Sequence, residues 1–328
     1  MREPAFVKQN AEKWKRFEEL LNKKAQTTPD ELAGLFIQIT DDLSYSKTFY
    51  PDSQITKYLN ALAAKAHQSI YVNKREDRSR IFNFWKYELP FVFYRSRWHL
   101  FYSFLIFSLS VFIGVISSAN DDTFIRLILG DSYVNMTLDN ISRGDPMAVY
   151  KESKQTDMFM GITFNNVRVS FLAFAAGVFF SFGTAYILFF NGVMVGAFQY
   201  MFYEQGLFMT SFLTIWIHGT LEISAIVIAG CAGLAMGNSI LFPQTFSRLE
   251  SFRRGAKQGL KIIIGLIPVF ITAGFLESFV TRATDLPDLV KSGIILTSLA
   301  FIIWYFIVYP HHLQKTGIPK NVFENLPD

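Results

Sequence analysis

His218 and Glu222 stand four residues apart in the run HGTLE, inside a stretch that is otherwise almost free of charge. On a helix that spacing puts both side chains on one face. An imidazole and a carboxylate so placed have three uses. They can contribute ligands to a metal ion, relay protons through apolar surroundings, or form a hydrogen-bonded pair that stitches helices together. Two ligands alone do not complete a metal site, and no HExxH run accompanies them. Asn191 and Glu204 lie in the same stretch and complete a candidate polar site. No GxSxG, P-loop or Rossmann fingerprint is present, and no convincing Ser/His dyad. The sequence therefore points to no catalytic residues, no metal and no cofactor.

The stretch that must position these groups runs from Phe164 to Pro243 and is rich in small residues. Hydrophobic residues make up 51% of the 328-residue chain and Phe alone supplies 35, and long apolar runs put the chain in the membrane class. A net charge of +4, with no basic stripe carrying reader motifs, argues against nucleic acid as a partner. The single cysteine, Cys231, excludes a disulfide framework within one chain and reads as a small buried helix residue. The opening MREPAFVKQNAEKWKRFEELLNKK has no apolar core of the signal-peptide kind, so insertion is expected to come from internal helices.

Residues 1–97 read as a helical cytoplasmic domain. Phe6, Trp14, Phe17 and Leu21 share one helical face. A second helix is expected from Thr28 as N-cap and Pro29 as its first residue, with Leu32, Leu35, Phe36, Ile39 and Leu43 as a buried stripe, broken at Tyr50-Pro51-Asp52. Ile55, Leu59, Leu62, Ala66 and Ile70 mark a third. Asn73–Trp98 is dense in cations and aromatic rings and reads as a juxtamembrane helix on the cytoplasmic surface. Its expected anchors to membrane lipid are Arg78, Arg80, Trp85, Arg95, Arg97 and Trp98.

The fold class expected is all-α: a polytopic membrane helical bundle of five to six segments, one of them broken or re-entrant, carrying the N-terminal domain. The membrane domain covers 98–310 and a polar tail follows from 311 to 328. Spans are expected near Trp98–Ser118, Val167–Phe190, Val193–Ile217, Thr220–Gly237, Leu260–Val280 and Ser292–Tyr309. Residues 120–164 form an extracytoplasmic connection with a short helix around Phe124–Leu129 and a turn at SRGDP, residues 142–146. Breaks are read at Asn191-Gly192 and at Glu204-Gln205-Gly206. Arg168 reads as a boundary anchor, and Glu277 lies near the end of its span. Gly192 with Gly196, and Gly233 with Gly237, allow close helix approach and suggest a homo-oligomer. The basic connection at 248–257 belongs with the N-terminal domain on the cytoplasmic side. Six crossings satisfy that and are preferred. A re-entrant Val193–Ile217 would give five and put the connection outside.

Several short motifs stand in a fixed order: NNxxV from Asn165, Gly183-Thr184, NGxxxG from Asn191, and HGxxExxA from His218 to Ala225. With LGDSYVNMTLDNISRGDP and the opening REPAFVKQN, this order resembles the stage II sporulation protein M family (the DUF95 family). The resemblance implies an all-helical integral protein of the bacterial inner membrane, multi-pass, with its N-terminus cytoplasmic. It implies a non-catalytic scaffold or assembly protein that recruits partners, either peptidoglycan-remodelling enzymes or a MoxR-type ATPase. The alternative from the residues themselves is a transporter or channel component with its polar site at broken helices.

Overall fold

The computed structural model describes residues 2–21, 29–71, 79–148, 155–283 and 286–317, and it divides into two units between Arg80 and Ile81. Every regular element among the described residues is helical.

The first unit holds three helices: α1 Glu3–Leu21, α2 Pro29–Phe49 and α3 Gln54–Tyr71. Each presents apolar residues at three- and four-residue spacing, so each buries a single stripe. The three stripes meet in one core made by Phe6, Trp14, Phe17, Ile39, Leu43 and Leu59, with Leu62 and Ala66 beside them. Leu20 takes the fully buried place on α1 and Leu21 is only half-buried, one residue from the expected register. Trp14 cannot bury its indole N–H unpaired. It donates Nε1–H to Asp42 Oδ2 at 2.7 Å, and Lys13 pairs with the same carboxylate oxygen at 2.6 Å. The expected N-cap Thr28 and the anchor Arg78 lie outside the described residues.

The second unit begins at Ile81, within α4 Ser79–Asn83, and continues through a π-helical turn Phe84–Glu88 and α5 Leu89–Arg95. Among the described residues, six helices are long and apolar enough to cross a membrane: Arg97–Asn120, Gln155–Val178, Phe182–Glu204, Phe208–Leu241, Arg248–Thr281 and Asp288–Thr316. They contain α6 Arg97–Asn120, then, after α7 Phe124–Leu129 and α8 Asp131–Ser142, α9 Gln155–Ala175, α10 Phe182–Glu204, α11 Phe208–Leu241, α12 Arg248–Phe275, α13 Asp288–Ile303 and α14 Tyr309–Thr316. A short 3₁₀ turn extends α9, and π-helical turns extend α12 and α13. At 1.5 Å per residue even the shortest is about 34 Å long, enough for the ~30 Å hydrocarbon layer. The chain is a multi-pass, all-α membrane protein.

The count of six agrees with the sequence, but the divisions within Phe164–Pro243 differ. No break occurs at Asn191-Gly192. The helix continues because Asn191 donates Nδ2–H to Ile187 O at 2.8 Å, and because Gly192 packs its bare backbone against Ser110 and Phe107 of α6. The reversal falls earlier, at 179–181, where Phe180 and Ser181 take positive φ of 54° and 70°. Left-handed backbone is costly for such residues, and here it is held from outside. Ser181 donates N–H to Gly177 O at 3.1 Å and Oγ–H to Leu234 O at 3.3 Å. Gly237 keeps the room for it, since a Cβ there would meet the Ser181 N and Oγ. Glu204-Gln205-Gly206 is the turn between α10 and α11, with Gly206 at φ +73°, rather than a break within a span. Thr220–Gly237 is the inner part of one uninterrupted 34-residue helix. No re-entrant segment is seen among the described residues.

Two further readings are corrected. α9 starts at Gln155, twelve residues before the expected span, so Asn165, Asn166 and Arg168 lie well inside a crossing helix and not at its edge. The juxtamembrane segment does not simply rest on a surface. Leu89, Val92 and Phe93 are buried in the main core with Ile262, Leu266 and Phe306. Glu88 pairs with Lys261, and Tyr305 donates its hydroxyl to Trp85 O at 2.6 Å.

Candidate functional site

Three helices converge on the site, and glycines set how closely they approach. Gly177 and Gly233 meet backbone to backbone, and a Cβ on Gly233 would also strike Ala173 O and the Thr184 side chain. Gly259 of α12 faces Phe174 of α9 and Ala232 O of α11. Gly274 of α12 faces Thr163 of α9. The result is a tight α9–α11–α12 seam with little room for large side chains.

At one level of that seam the apolar packing is replaced by polar groups. His218, Glu222 and Glu277 bring one ligand atom each to within 4.8 Å of one another. His218 is 4% exposed, and the Glu277 side chain 13%. The His218 Nδ1 lies 3.0 Å from Thr281 Oγ1, and its Nε2 faces Glu277 Oε1 at 3.8 Å. Asn166 of α9 donates Nδ2–H to Glu222 Oε1 at 2.6 Å. Glu277 and Thr281 belong to the π-helical turn Leu276–Thr281. Such a turn widens the helix and shifts the side-chain register, and π-turns are frequent at functional sites.

Polar groups beside this cluster lack partners. The hydroxyls of Thr163 and Ser170 on α9 and of Ser278 on α12 are buried without a hydrogen bond. Thr163 and Ser170 lie three and four residues from Asn166, on its face of the helix. Ser278 is fully buried and falls between Gly274, which faces α9, and Thr281, which meets His218.

The expected pair His218 and Glu222 is therefore brought together with two residues that spacing did not select. Glu277 is 55 positions further along the chain, and Asn166 was masked by the late placing of its span. The other two expected members lie elsewhere. The Asn191 amide is occupied by its own helix, and Glu204 is exposed at the end of α10. Gly192 and Gly196 pack on α6, and Gly233 and Gly237 on the α9–α10 turn region. These glycines thus serve contacts within the chain and carry no argument for a second copy. Among the expected anchors, Arg97 stacks over Tyr94 at 4.7 Å and donates to its carbonyl at 3.0 Å, and Arg95 lies over Phe91 at 5.8 Å. Trp98 is exposed, while the Trp85 indole N–H reaches Gly265 O at 3.4 Å inside the protein. Arg80 lies in α4.

Comparison with known families gives two matches. The family model described as stage II sporulation protein M matches residues 103–282, more than half of the chain and all of the α9–α11–α12 cluster. A domain of unknown function (DUF8413) matches residues 4–72, the three-helix unit. No curated protein and no solved structure matches the chain.

Proposed function

Because the chain belongs to the stage II sporulation protein M family, we propose that it is a non-catalytic scaffold that gathers partner proteins at the bacterial inner membrane. The partners proposed are peptidoglycan-remodelling enzymes or a MoxR-type ATPase, met by the three-helix unit on the cytoplasmic side. One observation carries this reading: α1, α2 and α3 build a core of their own. A membrane protein needs no such unit merely to insert. Its surface supports docking, because Ile37 and Phe49 of α2 are 62% and 58% exposed on a unit with a core of its own. The test is co-purification from native membranes with and without residues 2–80. Loss of partners with insertion retained supports recruitment by this unit. Recovery of the same partners by the truncated chain rejects it.

A second reading, a conduit for ions, is favoured by the buried His218–Glu222–Glu277 cluster, since ionisable groups within a membrane often line transport paths. On that reading reconstituted protein moves protons or cations across liposomes, and Glu222→Gln alters the rate. Liposomes no leakier than protein-free ones reject it.

A further inference from the structure

We propose that His218, Glu222 and Glu277 bind one divalent transition-metal ion of the zinc class within the membrane bundle. The donor set is one imidazole nitrogen and two carboxylate oxygens, all within 4.8 Å of one another. A tetrahedral zinc ion with bonds of ~2.0–2.1 Å holds its ligand atoms ~3.3 Å apart. The 3.8 Å between His218 Nε2 and Glu277 Oε1 is close to that value, and too long for a direct hydrogen bond. An imidazole in the set selects a transition ion over magnesium or calcium, which favour oxygen alone.

Three further observations fit a metal site better than a simple polar stitch. The first is that both types of ligand are already oriented from behind. The tautomer that donates Nδ1–H to Thr281 Oγ1 leaves the Nε2 lone pair aimed at Glu277. Asn166 fixes the Glu222 carboxylate through Oε1. Metal-binding histidines and carboxylates are held in this way by outer partners. The second is charge. The Glu222 and Glu277 carboxyl groups hydrogen-bond to each other; on losing that proton they and a neutral imidazole would carry −2, and a divalent ion would bring the sum to zero. The third is Ser278 Oγ, fully buried and without a hydrogen-bond partner in the stripe between Gly274 and Thr281. Three protein ligands leave a coordination position open, and a metal-bound water there would give this hydroxyl a partner. Since α11 supplies two ligands, α12 the third and α9 the supporting amide, the ion would tie three spans together.

The inference does not rest on partner recruitment, and its failure would leave that reading intact. The test uses the full chain in detergent, stripped with a chelator and titrated with zinc chloride. We expect one zinc ion per chain and a higher melting temperature. His218→Gln and Glu277→Gln should each weaken zinc binding at least ~100-fold, and Asn166→Ala ~10–100-fold. The double variant His311→Ala, His312→Ala, on exposed α14 imidazoles, should bind as the unaltered chain does. Cobalt(II) added to the stripped, unaltered chain provides a readout that needs no variant to fold. Strong visible bands of a four-coordinate ion, displaced by zinc, support the site. A weak six-coordinate spectrum, or zinc retained by both His218→Gln and Glu277→Gln, overturns it.

Discussion

The Asn166–Glu222 hydrogen bond joins α9 to the polar cluster by a side-chain pair. Hydrogen bonds to charged groups in low-dielectric surroundings are among the stronger ones, and removing one partner strands the other. Asn166→Ala should therefore destabilise the membrane unit by about 1–3 kcal/mol. The neighbouring Asn165 is exposed, and Asn165→Ala should stay within about 0.5 kcal/mol. Thermal unfolding of the two variants in the same detergent checks the difference, and equal melting temperatures would remove Asn166 from the account. The pair His218 and Glu222 was legible from its spacing, because a four-residue interval fixes a shared helix face. Glu277 was not, because its place depends on how α12 packs against α11 and on a π-helical turn that no residue pattern announces. Asn166 was hidden for a different reason. The residues before it, QTDMFMGITFN, are polar enough to read as a loop, although they form the first half of a helix long enough to cross the membrane.

Helix packing here is governed by where glycines let backbones touch. Gly196 of α10 lies against Val111 and Gly114 of α6, and Gly114 in turn lies against the Val193 backbone. In hydrocarbon no hydrophobic effect pulls helices together, so such close packing is a principal source of their association. Gly196→Leu should force α6 and α10 apart at a cost of about 1–3 kcal/mol or more. Gly293 of α13 has open space around it, and Gly293→Leu should leave the melting temperature and elution volume unchanged. Similar losses for both variants would mean that the close approach at Gly196 is not what holds the pair. The sequence showed these glycines by their GxxxG spacing, but not which helix each would meet. It misplaced the turn at 179–181 because Phe179, Phe180 and Ser181 carry no Gly or Pro signal. The positive φ angles of Phe180 and Ser181 are imposed by α11, through Leu234 O and the space over Gly237. It also read a break at Asn191-Gly192, where local propensity was overridden by packing on α6.

At the scale of the whole molecule, six spans and a separately cored helical unit were both visible in hydropathy and periodicity. These are properties of composition averaged over tens of residues, which local packing cannot reverse. The boundaries inside Phe164–Pro243 were not, since an unbroken apolar run holds few of the charges and prolines that mark helix ends. The architecture divides its roles in a way that suits a scaffold. One unit has six membrane-long helices among the described residues, with a polar cluster at the α9–α11–α12 seam, and the other offers exposed apolar residues beside a core of its own. The most direct measurement compares, in the same native membrane, the proteins captured by the full chain and by the chain lacking residues 2–80, at equal amounts inserted. We expect the truncated chain to insert and to lose most of the specific partners. The same partners, captured in the same amounts by both chains, would contradict recruitment by the three-helix unit.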